Sequence, residues 1–96
     1  MIASADSTQA RELLIINKRG LHARASARFV QTVEGYDADV RVTRDGNTVG
    51  GTSIMGLMML AASPGCVIHV AASGRQAVEV LDALEALIVD RFGEEA

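Results

Sequence analysis

Between Ala38 and Gly50 the chain carries the pattern that most restricts its fold. Ala38, Val40 and Val42 alternate with Asp39, Arg41 and Thr43, the period-two signature of a strand with one face buried and one in water. Asp45-Gly46 follows, a dipeptide that accepts the backbone of a two-residue hairpin, so Asn47 to Gly50 is expected to return antiparallel. A sheet built on such a hairpin needs a cover for its apolar side and leaves the other side wet.

The covering elements are legible on either side. Leu13-Leu14-Ile15-Ile16 is a short apolar run that reads as a buried strand. From Ala23 to Val33 the Ala27, Val30 and Phe29, Val33 spacings mark an apolar helical stripe, with Gly35 as its stop. Ser53 is an N-cap type and opens a short second helix from Ile54 to Leu60. Ser63-Pro64-Gly65 reads as a turn and Val67 to Ala72 as the fourth strand. A last helix is expected over Arg75 to Arg91, with Val78, Leu81, Leu84 and Ile88 as its core stripe and Gly93 as its end. The order βαββαβα fits an α+β domain, three helices on one face of a four-stranded antiparallel sheet.

With 96 residues, 49% of them hydrophobic, the chain suffices for one core and one domain. Residues 1–10, rich in Ser, Thr, Ala and Gln without periodicity, read as a flexible segment, and residues 11–96 as the folded domain. Phe29, Phe92 and Tyr36 are the only aromatic residues, so the core must be aliphatic. Cys66 is the single cysteine, which excludes an intramolecular disulfide or a thiolate metal cluster and fits a reducing, cytoplasmic setting. Met1 to Ala10 lacks the basic start and apolar run of a secretory signal. The longest strongly apolar stretch, Ile54 to Ala62, is well short of the ~20 residues that cross a bilayer.

The net charge of −3 argues against general affinity for nucleic acid, and the expected strands carry no aromatic residues on which bases could stack. Charge is nevertheless segregated. Lys18, Arg19, Arg24 and Arg28 lie between Glu12 and Glu34 with no acidic residue among them, whereas Glu79, Asp82, Glu85, Asp90, Glu94 and Glu95 crowd the C-terminal part. The basic patch surrounds His22 and predicts an acidic or phosphorylated partner. In Asn17-Lys18-Arg19-Gly20-Leu21-His22-Ala23-Arg24-Ala25-Ser26-Ala27, an imidazole and a guanidinium meet where a helix begins. Helix starts expose unpaired N–H groups and the positive end of the macrodipole, so Arg24 there costs about 0.3–1 kcal/mol unless an anion uses it.

Gly20-Leu21-His22-Ala23-Arg24, followed downstream by Ser53-Ile54-Met55-Gly56-Leu57-Met58-Met59-Leu60, resembles the histidine phosphocarrier family, HPr. The resemblance covers essentially everything after the first ten residues. It implies an open-faced β-sandwich and a carrier of the phosphoenolpyruvate-dependent phosphotransferase system. His22 would accept a phosphoryl group on Nδ1 from phosphorylated Enzyme I and pass it to enzyme IIA proteins. Chemistry agrees: a neutral imidazole is a competent nucleophile, and Arg24 with the N–H groups of Ala23, Arg24 and Ala25 can hold the phosphate oxygens. No cofactor is implied beyond the transient phosphate, no metal site is expected, and the protein should be a carrier substrate rather than an independent enzyme. A monomer is expected.

The family usually has proline after the arginine, and this chain has Ala25, which keeps an N–H and so offers an extra phosphate donor while losing proline's fixed φ. Ser53 in its motif is, in many members, phosphorylated by an HPr kinase/phosphorylase. A phosphate there adds ≈ −1.5 to −2 charges beside the surface where an acidic partner docks. Ile54, Met55 and Met58 form the family's exposed docking patch, with Arg28 beside it, while Leu57 and Leu60 fit the buried side. His69 is expected on the wet face or at an edge of the sheet and Cys66 to be structural. Two rival readings are weighed against the carrier. Asn17-Lys18-Arg19-Gly20 resembles the nitrogen-type branch, a regulatory phosphorylation-dependent binding module without sugar transport, whereas Ser53-Ile54-Met55-Gly56 resembles kinase-regulated members. An independent phosphohydrolase would need chemistry the sequence does not display, with no nucleotide loop and no second acid/base near His22.

Overall fold

In a computed structural model, described over residues 8–95, the hairpin forms as read. Strand β2 (Asp39–Arg44) and strand β3 (Asn47–Gly50) pair antiparallel with Arg44 opposite Asn47. Asp45 and Gly46 between them take φ 52° and 80°, the left-handed values that a two-residue turn needs. Strand β1 (Gln9–Leu14) and strand β4 (Val67–Ser73) complete a four-stranded sheet in the order β1-β4-β2-β3. Every pairing is antiparallel.

Helix α1 (Ala23–Glu34), helix α2 (Ile54–Met59) and helix α3 (Ala77–Val89) cover one face. Val40, Val42, Ile68, Val70 and Ala72 point into the core, where they meet Phe29, Leu57, Leu81 and Leu84, all nearly or fully buried. His69 is exposed, on the wet face of a strand interior to the sheet. Arg44, at the end of β2, donates to the Leu60 carbonyl at 2.9 Å and to Cys66 Sγ at 3.2 Å, which ties the hairpin to the exit of α2.

Three expectations are corrected. Leu13 to Ile16 is not a fully buried strand: Leu13 and Ile15 are buried, but Leu14 and Ile16 are 50% and 38% exposed, because the sheet's outer face is open. The strand also starts earlier. Gln9 and Ala10, grouped by composition with the N-terminal segment, pair with Ala72 and Ala71 of β4, since backbone ladder bonds need no apolar side chains; residues 1–7 of that segment lie outside the described residues. Helix α3 starts at Ala77 rather than Arg75 and ends at Val89 rather than Arg91. Its buried stripe is Ala77, Val80, Leu81, Leu84 and Ile88, whereas Val78 is 47% exposed. After α3 the chain turns back through a short left-handed turn, Arg91–Gly93.

Candidate functional site

The loop before α1 is held by a buried amide. Asn17, fully buried, accepts the Gly20 N–H on its backbone carbonyl at 3.2 Å and donates from Nδ2 to the Gly20 carbonyl at 2.8 Å. Gly20 takes φ 65°, and a Cβ there would overlap the Ala62 carbonyl. That same carbonyl accepts the Leu21 N–H at 2.9 Å, so glycine lets the loop before β4 brace the start of α1.

His22 is the N-cap residue of α1, with extended backbone and no side-chain capping bond. The first helical hydrogen bond runs from Ser26 N–H to the His22 carbonyl at 2.8 Å. The N–H groups of Ala23, Arg24 and Ala25 therefore have no acceptor within the helix. Ala23 and Arg24 are exposed, while Ala25 is fully buried, so the two outer amides are the more open donors. Ser26, buried one turn along, satisfies its hydroxyl on the Leu21 carbonyl at 3.2 Å.

The C-terminal segment brings a carboxylate that sequence reasoning missed. Helix α3 ends, Phe92 buries itself at 1% exposure, and Glu94 lands against the imidazole, bonded through Oε2 to His22 Nε2. The other oxygen, Oε1, accepts Asn17 Nδ2–H at 3.1 Å. Both side chains are half-buried, at 18% exposure each. Burial by itself would raise the Glu94 carboxyl, but the hydrogen bonds from His22 and Asn17, with the charges of His22 and Arg19, outweigh it and hold the carboxyl below its ordinary range. The expectation that no second acid/base group lies near His22 is thus corrected.

Lys18, Arg19, Arg24 and Arg28 line the same open cleft as His22 and Glu94. None of these four cations is within salt-bridge distance of a carboxylate among the described residues. His22 Nδ1 has no hydrogen-bond partner among the described residues, since its Nε2 makes the ring's one such contact. The cleft therefore presents one ring nitrogen without a partner among the described residues, the unpaired start of a helix and a positive rim, an arrangement suited to an anion.

Away from the cleft, Ser53 caps α2, with Oγ accepting the Gly56 N–H at 2.9 Å. Ile54, Met55 and Met58 are exposed, while Leu57 and Leu60 are buried. Met59, 78% exposed, joins the apolar face and was not singled out by sequence. Among the described residues no three metal-ligating side chains cluster, and no helix is long and apolar enough to cross a membrane.

Comparison with known proteins identifies the fold and the family. The model of the phosphorylation-site region of the phosphotransferase-system HPr component matches residues 9–90. Phosphocarrier protein HPr of Cupriavidus necator is 48% identical over 84 residues, covering 88% of this chain and 94% of that protein. HPr of Neisseria meningitidis is 51% identical over 80 residues, covering 83% and 90%. Among solved structures, HPr-C-His from Thermoanaerobacter tengcongensis superposes with a TM-score of 0.87 at 41% identity, covering 92% of this chain and 99% of that one. An HPr dimer from the same organism gives a TM-score of 0.72 at 44% identity, over 83% and 92%. With its fold and most of its length matched by these proteins and by the family model, the chain belongs to the HPr family of phosphocarriers of the phosphotransferase system.

Proposed function

We propose that His22 is the phosphoacceptor and that Nδ1 is the atom that carries the phosphate. The observation that supports this most is the division of labour on the ring: Nε2 is engaged by Glu94, while Nδ1 faces no competing partner at a helix start whose outer amides are unpaired. Phosphorylated Enzyme I is the donor and enzyme IIA proteins are the acceptors. In the forward step the Nδ1 lone pair forms the N–P bond, the bond from phosphorus to the donor atom breaks, and its electron pair stays with the donor. Arg24 neutralises charge on the equatorial oxygens, and the N–H groups of Ala23 and Arg24, with Ala25 as an extra donor behind them, supply fixed dipoles. No cofactor is needed beyond the phosphate in transit.

Docking uses the exposed face of α2, with Ile54, Met55 and Met58, together with Arg28 on the flank of the cleft. An apolar patch with a basic border suits a partner with an apolar centre and an acidic rim. Ser53 is the regulatory position, for an HPr kinase/phosphorylase: its hydroxyl is exposed at the edge of the docking face, and a phosphate there would set like charge against an acidic partner. The protein works in the cytoplasm as a monomer, with that face free.

Incubation with Enzyme I and phosphoenolpyruvate tests the reading. The wild type should gain one acid-labile phosphoryl group, and His22→Ala should gain none. Labelling that survives in His22→Ala would overturn the assignment.

A further inference from the structure

The carboxylate seated on His22 needs an explanation, because it puts negative charge beside an atom that must receive a phosphate. Its position is constructed at some cost. Arg91, Phe92 and Gly93 take φ 55°, 55° and 79° in succession, a left-handed run in which two residues carry side chains that disfavour it. Phe92 is fully buried within that run, which anchors the turn. Asn17, also buried, points one Nδ2 hydrogen to Gly20 and the other to Glu94, so the acceptor's loop and the tail share one amide. A Cβ on Gly93 would come within 3.1 Å of Arg28 Nη1, which leaves the tail packed against the basic side of the cleft.

From this geometry we infer that Glu94 is a positioning residue for phosphoryl transfer: by accepting the Nε2–H of His22 it fixes the tautomer in which Nδ1 carries the lone pair and holds the ring edge toward the cleft. The inference rests on His22 Nδ1 being the phosphoacceptor. Glu94 does not touch the phosphorus and takes no proton. When the Nδ1–P bond forms and the donor keeps the electron pair of the bond that breaks, the ring retains its Nε2–H and becomes positively charged, and the carboxylate already in place balances that charge. In the reverse step the ring returns to its neutral state with the same proton on Nε2. Hydrogen-bonded partners that fix a histidine's tautomer and orientation in this way change its performance by about 10–100-fold in metal sites, and the half-buried, water-accessible pair here belongs at the low end.

Two variants and two readouts test it. Glu94→Ala should slow single-turnover phosphorylation by phospho-Enzyme I about ten-fold, while Glu94→Asp, which keeps two carboxylate oxygens as acceptors for His22 Nε2–H and Asn17 Nδ2–H, should recover part of that loss. Nitrogen-15 NMR of the unphosphorylated protein should show the neutral His22 ring as a single Nε2–H tautomer in the wild type, the same tautomer predominating in Glu94→Asp, and a tautomer mixture in Glu94→Ala. A merely structural tail would not alter the tautomer ratio in a folded variant. Wild-type rates and an unchanged ratio in Glu94→Ala overturn the inference while leaving His22 as acceptor. Loss of labelling only in a variant other than His22→Ala, with His22→Ala still labelled, would instead mean that the acceptor itself is misassigned.

Discussion

The starts of α1 and α2 are built from the same parts and finished differently. Both N-cap residues hold extended backbone, His22 at φ −74° and ψ −179° and Ser53 at φ −105° and ψ 104°. Ser53 folds its hydroxyl onto the Gly56 N–H and closes its helix. His22 makes no such bond and turns its ring instead to Glu94, 72 residues away, so the amides of α1 stay available. Gly56 also sits where a Cβ would come within 2.9 Å of Ser53 Oγ and of Val49, leaving the α2 cap tight, whereas the α1 start opens on a cleft lined with cations. One helix start closes a donor with its own cap; the other leaves its donors without a side-chain cap.

The contrast breaks most completely at His22. His22→Ser should abolish phosphorylation by Enzyme I, yet serine is a good N-cap, so its capping gain should offset the lost Glu94 contact and leave unfolding free energy within about 1 kcal/mol of wild type by urea denaturation. A much larger loss of stability would make His22 a structural cap. Phe92→Ala removes the anchor of the tail and should cost about 3 kcal/mol by the same measurement, with the Glu94 contact loosened as a consequence.

At α2 the expected effects are smaller. Ser53→Asp, standing in for the phosphorylated state, should slow phosphoryl uptake from Enzyme I about ten-fold through like-charge repulsion at the docking face, and added salt should narrow the difference. Ser53→Ala should leave uptake close to wild type and reduce stability by about 1 kcal/mol, the value of the lost cap. The smallest effect is titration of the tail. Because the Glu94 carboxyl is held below its ordinary 4.5 in the folded protein, the folded state binds fewer protons at this site than the unfolded chain. Its stabilisation is complete above that ordinary value and disappears as pH falls through the lowered one. The stability gap between wild type and Glu94→Gln should therefore close on acidification, over a total of less than about 1 kcal/mol.

Much of this was legible because local rules and the global fold agree. The β2–β3 hairpin followed from alternation and Asp45-Gly46, the α1 start from the apolar stripe behind His22, and the two-faced character of α2 from the family resemblance, which left Leu57 and Leu60 for the buried side. The failures have physical causes. Gln9 and Ala10 join β1 through backbone bonds to β4, which no side-chain pattern announces. Val78 was assigned to the buried stripe because spacing alone does not fix a helix's phase; Ala77 and Val80 fix it in the structure. Asn17 reads as an ordinary loop asparagine until its burial shows that it organises the loop. Glu94 reached His22 through three successive left-handed residues, and only Gly93 among them hinted at a reversal.

The central claim concerns one atom, Nδ1 of His22. Phosphorus-31 and nitrogen-15 NMR of uniformly nitrogen-15-labelled protein, phosphorylated by Enzyme I at neutral pH, would report the attachment directly. The expected product is a single phosphohistidine in which phosphorus couples to Nδ1 of His22 and Nε2 keeps its proton. A phosphorus coupling to Nε2, the atom now held by Glu94, or a phosphate on any other residue would contradict it.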